Sequence, residues 1–521
     1  MTITPASDQH DQRVRVGIVP GAARALRPRL LDALEALYPV RFVPRDAAQL
    51  GDLDALVCLG EDALAVADSA PAGLPCLAAL GGERLAPELR PVDLADDTAL
   101  DRPLRGARLH DGATDALPAH CADGKVLATI AGAPCWIVRA DGTQVVAAAP
   151  DELGADELLR ERLVPGRCLA LLALTHFLRE QTAVRDWRPP PLRAAFVLDD
   201  PNLHWPTYGH LRYRELLTHA AEHRYHLAVA MVPLDAWLVH PGVARMFRDG
   251  SDRLSILVHG NDHDGGELGR VASDADGVQL AAQALRRIER FERRSGLRVA
   301  RVMAPPHERV TEPSLRGLLA CGFEAVSTAR PFPWLQADGS SWLIHPSGVE
   351  PSAVSTPAHE TSDGLPVLLR LDFGHPREEL VLRAYLGQPL IVYGHHGDLA
   401  DGLDVLAEAA EQINRLGDVR WLALDEIARA GAQTRVEGTT LHVRPHARRL
   451  SIEIPAGVEL LRVEPRDASE AEVVAAVRGP GTYELERART SADLPTGHRT
   501  RLRPLARRIA TEGRDRLRAV L

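Results

Sequence analysis

Apolar runs of strand length alternate with amphipathic stretches of helix length through residues 192–430. AAFVL, HLAVAMV and LSILV are examples of the apolar runs, and GVQLAAQALRRIERFERRSG is one of the helical stretches. Unbroken apolar runs are typical of parallel strands that are buried on both faces. A β/α alternation repeated this often predicts a distorted (β/α) barrel, with its chemistry at the carboxyl ends of the strands.

The segments on either side have different patterns. Residues 13–180 alternate shorter strands and helices, which predicts an open α/β sheet of flavodoxin-like or amidotransferase-like type, for ligand binding or assembly. From about residue 435, short strands separated by turn residues predict a small β-sandwich-like domain followed by an Arg-rich helix. We expect that helix to have a solvated basic face, with contact to an anionic surface as the alternative. The chain is therefore predicted to be an α/β protein with domains at 1–185, 186–430 and 431–521.

Composition narrows the class of protein. Hydrophobic residues make up 45% and charged residues 25% of the 521 residues, which is typical of a soluble globular chain. The net charge of −10 argues against a nucleic-acid partner. No run approaches the roughly 18 apolar residues of a membrane span, and no secretory signal is visible. The six cysteines form no CxxC pair, and Cys58 is expected to be a core thiol. We expect a cytoplasmic protein, with a homo-oligomer left open.

Two of the predicted barrel strands end in residues that bind metals. AAFVLDDPN ends in Asp199 and Asp200, and LSILVHGNDH places His259 and His263 four positions apart. Because the carboxyl ends of barrel strands meet on one face, these side chains are expected to lie close together. One carboxylate and two imidazoles, with an open position, are typical of a catalytic metal site, and the spare carboxylate can accept a proton.

The histidine spacing is weak evidence by itself. The chain has 21 histidines, and His219 and His223 have the same spacing inside a helical pattern, with no acidic strand end beside them. We interpret that pair as ordinary helix-surface residues. For Asp199 and Asp200 alone, a capped turn after a strand is the simpler interpretation. The ordered histidine motif behind them favours the metal site.

In combination these motifs resemble the NodB-like polysaccharide deacetylases, which are metal-dependent de-N-acetylases on a distorted (β/α) barrel. The resemblance covers about residues 192–430. It implies bound Zn²⁺, or another divalent ion such as Co²⁺, Ni²⁺ or Mn²⁺, and a small-molecule or oligosaccharide substrate. It also implies that Asp199 is the general base and that the metal is held by three residues: Asp200, His259 and His263. PLIVYGHHGD offers His395 as the family's general acid, with His396 as the alternative.

The later motifs depart from the family. Where the family has an arginine that holds the base, RVARVMAPPHE offers Pro306 and His307, with Arg301 upstream. We expect these three residues to lie near the substrate, and the partner of the base is left open. Asp372, in LLRLDFGH, is the candidate for the aspartate that tunes the catalytic histidine.

Aromatic residues are scarce, at 4% of the chain, so those near the motifs are of interest. Trp205 is a candidate for stacking against a sugar, together with Tyr208 and Trp237, and core packing is an equal alternative. Trp334 and Trp342 are expected on a long loop, where they could form a lid.

Three functions follow as hypotheses. The first is a metal-dependent hydrolase that removes an N-acyl group, most simply acetyl, from an amino sugar or related amide. The second is a non-catalytic binding or scaffold protein on the same barrel, which the departures in the later motifs favour. The third is a metal-dependent amidase with a non-sugar substrate, which the missing export signal favours.

Overall fold

The computed structural model describes residues 13–83, 88–154, 157, 159–183, 187–329, 359–360, 365–464, 472–486, 506 and 508–514. The described residues up to Trp187 form one compact unit, and those from Arg188 onwards form a second. Trp334 and Trp342 lie outside the described residues. The division into three domains stays a prediction.

The first unit is built on one mixed sheet. Its strands are β1 (Val14–Val19), β2 (Val40–Pro44), β3 (Ala55–Leu59), β4 (Cys76–Ala79), β5 (Arg90–Leu94), β6 (Arg108–Asp111), β7 (Lys125–Ile130), β8 (Ala133–Val138) and β9 (Gln144–Val146). Its helices are α1 (Ala23–Leu26), α2 (Pro28–Leu37), α3 (Ala63–Asp68), α4 (Leu159–Arg162) and α5 (Leu169–Thr182).

The sheet has the order β2-β1-β3-β4-β9-β8-β7-β5-β6. The first five strands of this order are parallel, and the remaining pairings are antiparallel. The sequence does not predict the antiparallel pairing of these later strands, because the hydrophobic pattern of a strand does not specify which strand it pairs with. Cys58 on β3 is fully buried, and burial raises the pKa of its thiol to about 12, which fits a core thiol. The likeness to a flavodoxin-like or amidotransferase-like domain stays a prediction.

The second unit begins with strands that alternate with helices. The strands are β10 (Arg193–Asp199), β11 (Thr207–Tyr208), β12 (Leu211–Arg212), β13 (Leu227–Met231), β14 (Leu254–His259), β15 (Val302–Ala304), β16 (Ala325–Thr328), β17 (His359–Glu360), β18 (Pro366–Asp372), β19 (Leu390–His395) and β20 (Arg420–Trp421). The helices are α6 (Tyr213–Glu222), α7 (Pro241–Asp249), α8 (Asp274–Ser295), α9 (Glu312–Ala320), α10 (Arg377–Tyr385), α11 (Asp404–Arg415) and α12 (Leu424–Arg429).

Seven parallel strands of this unit close into a barrel. Their order is β10-β13-β14-β15-β16-β18-β19, and the ring closes because β10 pairs with both β13 and β19. The start of β10 pairs instead with β20, so one side of β10 is shared between two neighbours and the barrel is distorted there. The predicted parallel barrel is confirmed for this part of the chain.

Small side chains make this narrow ring possible. The core that its strands share includes Ala195, Ala228, Ala230, Ala304 and Ala325, all fully buried. The space inside a barrel shrinks as the number of strands falls, so seven strands leave room for few large inward side chains.

The remaining strands form two small sheets. They are β21 (Ala432–Glu437), β22 (Thr440–Pro445), β23 (Arg449–Ile454), β24 (Leu460–Val463), β25 (Val473–Ala476) and β26 (Gly481–Glu486). One sheet has the order β21-β22-β24-β25 and the other pairs β23 with β26, around a core that includes Val443 and Leu450. Residues 508–514 are helical. Among the described residues, no helix is both long enough and apolar enough to cross a membrane.

Candidate metal centre

Metal-binding atoms converge where β10 and β14 end. Asp200 directly follows β10, His259 is the last residue of β14, and His263 lies in the loop after it. One ligand atom from each lies within 4.8 Å of the other two. Asp200 Oδ1 is 3.4 Å from His263 Nε2 and 4.0 Å from His259 Nε2. Ligands about 2.0–2.1 Å from a tetrahedral Zn²⁺ stand roughly 3.4 Å apart, so this donor set fits a metal ion.

The hydrogen bonds of His259 favour metal binding by its other nitrogen. Its Nδ1 lies 2.9 Å from the backbone oxygen of Ala304 on the next strand. A carbonyl oxygen can only accept, so Nδ1 carries the proton and Nε2 keeps its lone pair. This arrangement is typical of histidines that bind metals.

A tight loop, and not a helix, creates the spacing of the two histidines. Gly260 has a φ of +65°, and a Cβ there would stand 2.6 Å from both Pro306 Cγ and Glu267 Oε1. The carboxylate of Glu267 accepts hydrogen bonds from the backbone N–H groups of Asp262 and His263 at 3.0 and 3.1 Å. Pro306, predicted near the substrate, therefore packs against the loop that carries His263.

Strained backbone concentrates at this rim of the barrel. Seven described residues other than glycine have a left-handed φ, and four of them lie here: Asp200 at 82°, His263 at 53°, His307 at 57° and Glu308 at 58°. Such conformations cost about 1–3 kcal/mol each and are frequent where a side chain must be aimed at a functional site.

Asp199 is held by an arginine that the sequence analysis missed. Arg370, on β18, donates to Asp199 Oδ1 at 2.9 Å and to Asp199 Oδ2 at 2.7 Å. The guanidinium also bonds to Glu308 and lies 4.0 Å from the ring centroid of Tyr393. The sequence did contain a sign of this contact. Arg370 interrupts the apolar strand PVLLRLD, and a charged side chain buried in such a strand needs a partner of opposite charge.

The surrounding charges keep the acidic groups ionised. Burial opposes ionisation of Asp199, but Arg370, His259 and His395 outweigh it and hold the pKa of that carboxyl below its ordinary value. Burial likewise opposes ionisation of Asp200, yet nearby cationic side chains hold its pKa far below the usual range. Burial, with a smaller contribution from the neighbouring His259, lowers the pKa of His263 to about 4, so its imidazole is neutral near pH 7.

Two predicted residues are not brought to the site. Arg301 precedes β15 and bonds to Glu292, with its Nη2 2.7 Å from Oε2, so it lies at the opposite end of the strand from the rim. Arg370, and not Arg301, is therefore the partner of Asp199, and the expectation that Arg301 lies near the substrate stays a prediction. Asp372 ends β18 with an exposed side chain, and its Oδ1 accepts from the backbone N–H of Gly374 at 2.8 Å. It caps its own turn, and the described contacts do not join it to His395, the candidate general acid.

The two adjacent histidines point in different directions. His395 pairs in register with Asp199, and it contributes to the lowered pKa of both aspartates of the motif. The ring of His396 packs against Tyr208 and His210, with ring centroids 5.4 and 5.8 Å apart. The geometry therefore favours His395 over His396 as the group that faces the candidate centre.

A cavity adjoins the centre on the side of His307. The ring of His307 lies 5.4 Å from that of His263, and both are near a cavity of about 610 Å³. The cavity is lined by Gly265, Gly266, Arg270, His307, Glu308 and Arg309. On another side, Trp205 and Trp237 are 50% and 52% exposed, so neither is a core residue.

His219 and His223, which have the same spacing as His259 and His263, lie away from the candidate centre. His219 is on α6 and its Nδ1 is 2.9 Å from the hydroxyl of Tyr225, while its ring lies 4.2 Å from that of His223. Over the part of the chain that the structure describes, Asp200, His259 and His263 are the one group of three acidic, histidine or cysteine side chains that could hold a metal.

A second unpredicted arginine reaches the centre from residues 508–514. Arg508 Nη1 lies 3.1 Å from Asp200 Oδ1, and the side chain is 8% exposed. The expected solvated basic face of this helix is therefore wrong at Arg508. Its position could not be inferred locally, since it depends on a contact between residues 308 apart.

Comparison with known proteins gives matches to solved structures. No family model and no curated protein matches the chain. A candidate polysaccharide deacetylase from Mycobacterium smegmatis is 18% identical and has a TM-score of 0.32, with 47% of this chain and 92% of that chain covered. A family 4 carbohydrate esterase from Streptomyces lividans is 10% identical, with a TM-score of 0.26 and coverage of 44% and 87%.

A family 4 pseudoenzyme from Bacillus anthracis is also similar. It is 11% identical, with a TM-score of 0.25, and the match covers 44% of this chain and 62% of that chain.

Proposed function

We propose that the chain is a metal-dependent hydrolase that removes an N-acyl group, most simply acetyl, from an amino sugar or a related amide. One observation carries the proposal: Asp200, His259 and His263 offer ligand atoms within 4.8 Å of one another, beside a buried second carboxylate. When bound, a divalent ion such as Zn²⁺ supplies a Lewis acid that polarises a carbonyl oxygen and makes water easier to deprotonate.

Asp199 is the general base in this proposal. Its carboxylate is adjacent in sequence to Asp200, and Arg370 fixes its orientation through two hydrogen bonds. Because its pKa is held below the ordinary value, it is ionised at neutral pH and able to accept a proton from water. The same guanidinium keeps Asp199 from turning towards the metal ligands.

His395 is the general acid in this proposal. It ends β19 opposite Asp199, so the proton donor and the proton acceptor stand on neighbouring strands of the rim. Cleavage of an amide requires a proton on the departing nitrogen, and an imidazole can supply it near neutral pH.

The charge of the cavity beside the centre indicates which class of substrate would fit. Arg270 and Arg309 line it, so an acylated amine that carries a phosphate or carboxylate fits its charge. A nucleotide-linked amino sugar is one such substrate, and a non-sugar acyl amide with an anionic group is the alternative.

The test combines metal analysis with product release. We expect purified protein to contain a divalent metal and to release acetate from N-acetylated amino sugars, with faster release when the sugar carries a phosphate. Asp200→Ala should lose the metal, whereas Asp199→Asn should keep the metal and lose turnover. A metal-free preparation with full activity would refute the proposal, and bound metal without release from any N-acyl compound would favour the non-catalytic alternative.

A further inference from the structure

A buried ion pair joins residues 508–514 to the candidate metal centre. Arg508 Nη1 donates to Asp200 Oδ1 at 3.1 Å, and Nε donates to Asp235 Oδ2 at 3.0 Å. Nη2 donates to the backbone oxygen of Asp200 and to the same Asp235 oxygen, at 3.3 and 2.5 Å. The side chains of Arg508 and Asp235 are 8% and 6% exposed. The barrel therefore offers two acidic partners, and this guanidinium fills the space between them.

The helix docks through its polar face. Glu512, one turn after Arg508, accepts from Asn202 Nδ2 at 3.2 Å and lies 3.4 Å from His204 Nδ1. Ile509, on the same helix, is 57% exposed. Helices on protein surfaces usually bury their apolar face and leave charges in water. The reversed arrangement indicates that the charged contacts, and not apolar burial, specify where this helix binds.

The guanidinium lies beside the donor set without displacing it. With Arg508 in contact, Asp200 Oδ1 still stands 3.4 Å from His263 Nε2, close to the separation of two ligands on one metal ion. A carboxylate oxygen has two lone pairs, so one can accept from Arg508 while the other faces the metal. The buried carboxylate of Asp235 offsets the positive charge that would otherwise repel a cation here.

We propose that Arg508 is a positioning residue of the metal centre, which orients the ligand Asp200 and is itself anchored by Asp235. The inference rests on the proposed function only in that Asp200, His259 and His263 hold a metal. Hydrogen bonds to metal ligands typically change metal affinity by about 10- to 100-fold. The barrel would then lack part of its metal centre until the helix has docked.

The first experiment measures the affinity of full-length, metal-stripped protein for Zn²⁺ by competition with a chromophoric chelator. Arg508→Ala should weaken Zn²⁺ binding by about 10- to 100-fold. Arg508→Lys should lose less of the affinity for Zn²⁺, because lysine keeps the positive charge but lacks the planar guanidinium group that donates to both aspartates. Arg514→Ala, on the same helix, serves as the matched control and should bind Zn²⁺ like the unmodified chain.

A second readout separates positioning from general stability. Co²⁺ bound to Arg508→Ala should have visible absorption bands that differ from those of the unmodified chain, because the carboxylate ligand is oriented differently. Free guanidinium ion, at concentrations far below those that denature proteins, should restore the affinity of Arg508→Ala by filling the space between Asp200 and Asp235. Weakened binding without rescue would assign the effect to helix docking and overturn the role of the guanidinium.

The remaining outcomes distinguish this inference from the proposed function. If the unmodified chain binds no Zn²⁺, Co²⁺, Ni²⁺ or Mn²⁺, the metal centre itself is wrong. If it binds Zn²⁺ and Arg508→Ala binds equally well or more tightly, only the positioning role fails. If Arg508→Ala does not fold, the affinity and the Co²⁺ spectrum of Arg508→Lys decide, and no change in either would overturn the inference.

Discussion

At the scale of single residues, the candidate site depends on buried charges that are paired across distant strands. Arg370 on β18 bonds to Asp199 on β10 and to Glu308 after β15, and its side chain is 1% exposed. Burying such charges is costly, so the net contribution of the cluster to stability can be small. Removing one member of the cluster lowers stability strongly, because the remaining buried charges then have no partner of opposite charge.

Replacing Arg370 should therefore destabilise the fold far more than replacing Arg301. Arg370→Met leaves two carboxylates in the barrel, and we expect it to lower the free energy of unfolding by about 3–5 kcal/mol. Arg301→Met removes a partly exposed pair with Glu292 and should cost about 0–1 kcal/mol. Urea unfolding followed by circular dichroism measures both. Similar losses in the two variants would contradict the buried cluster.

The neighbouring histidines should differ in their effect on turnover. His395→Ala removes the proposed proton donor opposite Asp199, so kcat should fall by about 10²- to 10⁴-fold. His396→Ala removes ring contacts with Tyr208 and His210, on the side away from the proposed reaction, and a small change is expected. Steady-state kinetics on an N-acetylated amino sugar compares them. Equal rates in the two variants would mean that neither histidine is the acid.

At the scale of elements, the loop after β10 and the 508–514 helix are joined through a histidine that responds to pH. His204 Nε2 is 2.8 Å from the backbone oxygen of Asp235, and Nδ1 is 3.4 Å from Glu512 Oε2. Both partners can only accept, so both ring nitrogens must donate and the imidazole is charged. Burial opposes this charge, but the hydrogen bonds to Glu512 and Asp235 outweigh it and raise the pKa of His204.

The raised pKa fixes the direction of the pH dependence. The stabilisation is fully present below the unfolded pKa of histidine, about 6.5, and is lost as the pH rises through the higher folded pKa. We expect the melting temperature of the unmodified chain to exceed that of His204→Gln at low pH and the difference to shrink as the pH rises. Melting curves across this range test it. A difference that grows with pH would refute the charged His204.

Local patterns predicted the elements that carry the motifs but not the partners of their side chains. Apolar runs ending in Asp199, His259 and His395 located the strand ends, because the carboxyl ends of parallel strands share one rim. Arg370 and Arg508 could not be assigned from spacing, since each acts across a contact that only the closed fold creates. Arg301 is close to Pro306 in sequence, yet a three-residue strand separates the two ends of the barrel there.

At the scale of the whole molecule, metal binding should be linked to the stability of the unit that contains the barrel. The ligands come from two strand ends that lie close together only in the folded state. A ligand present at a hundred times its Kd adds roughly 2.7 kcal/mol to the stability of the state that binds it. The same linkage does not act on the first unit directly, because the proposed ligands all belong to the second.

Removal of the metal should therefore lower the melting temperature. We expect a chelator to shift the transition of the second unit downwards and added Zn²⁺ to reverse the shift. Asp200→Ala should not respond to either, whereas His219→Ala, on α6, should respond like the unmodified chain. Calorimetry resolves the transitions of the two units. An unchanged melting temperature in the presence of chelator would argue against a metal held by these residues.

The order of synthesis gives the contact between Arg508 and Asp200 a further consequence. A ribosome delivers every strand of the barrel before it delivers residue 508, so a nascent chain can close the ring while Asp235 still lacks its cation. The growing polypeptide would pass through a stage with a formed barrel and weak affinity for metal. Loading with the ion would then come late, after residue 508 has been made and its helix has docked.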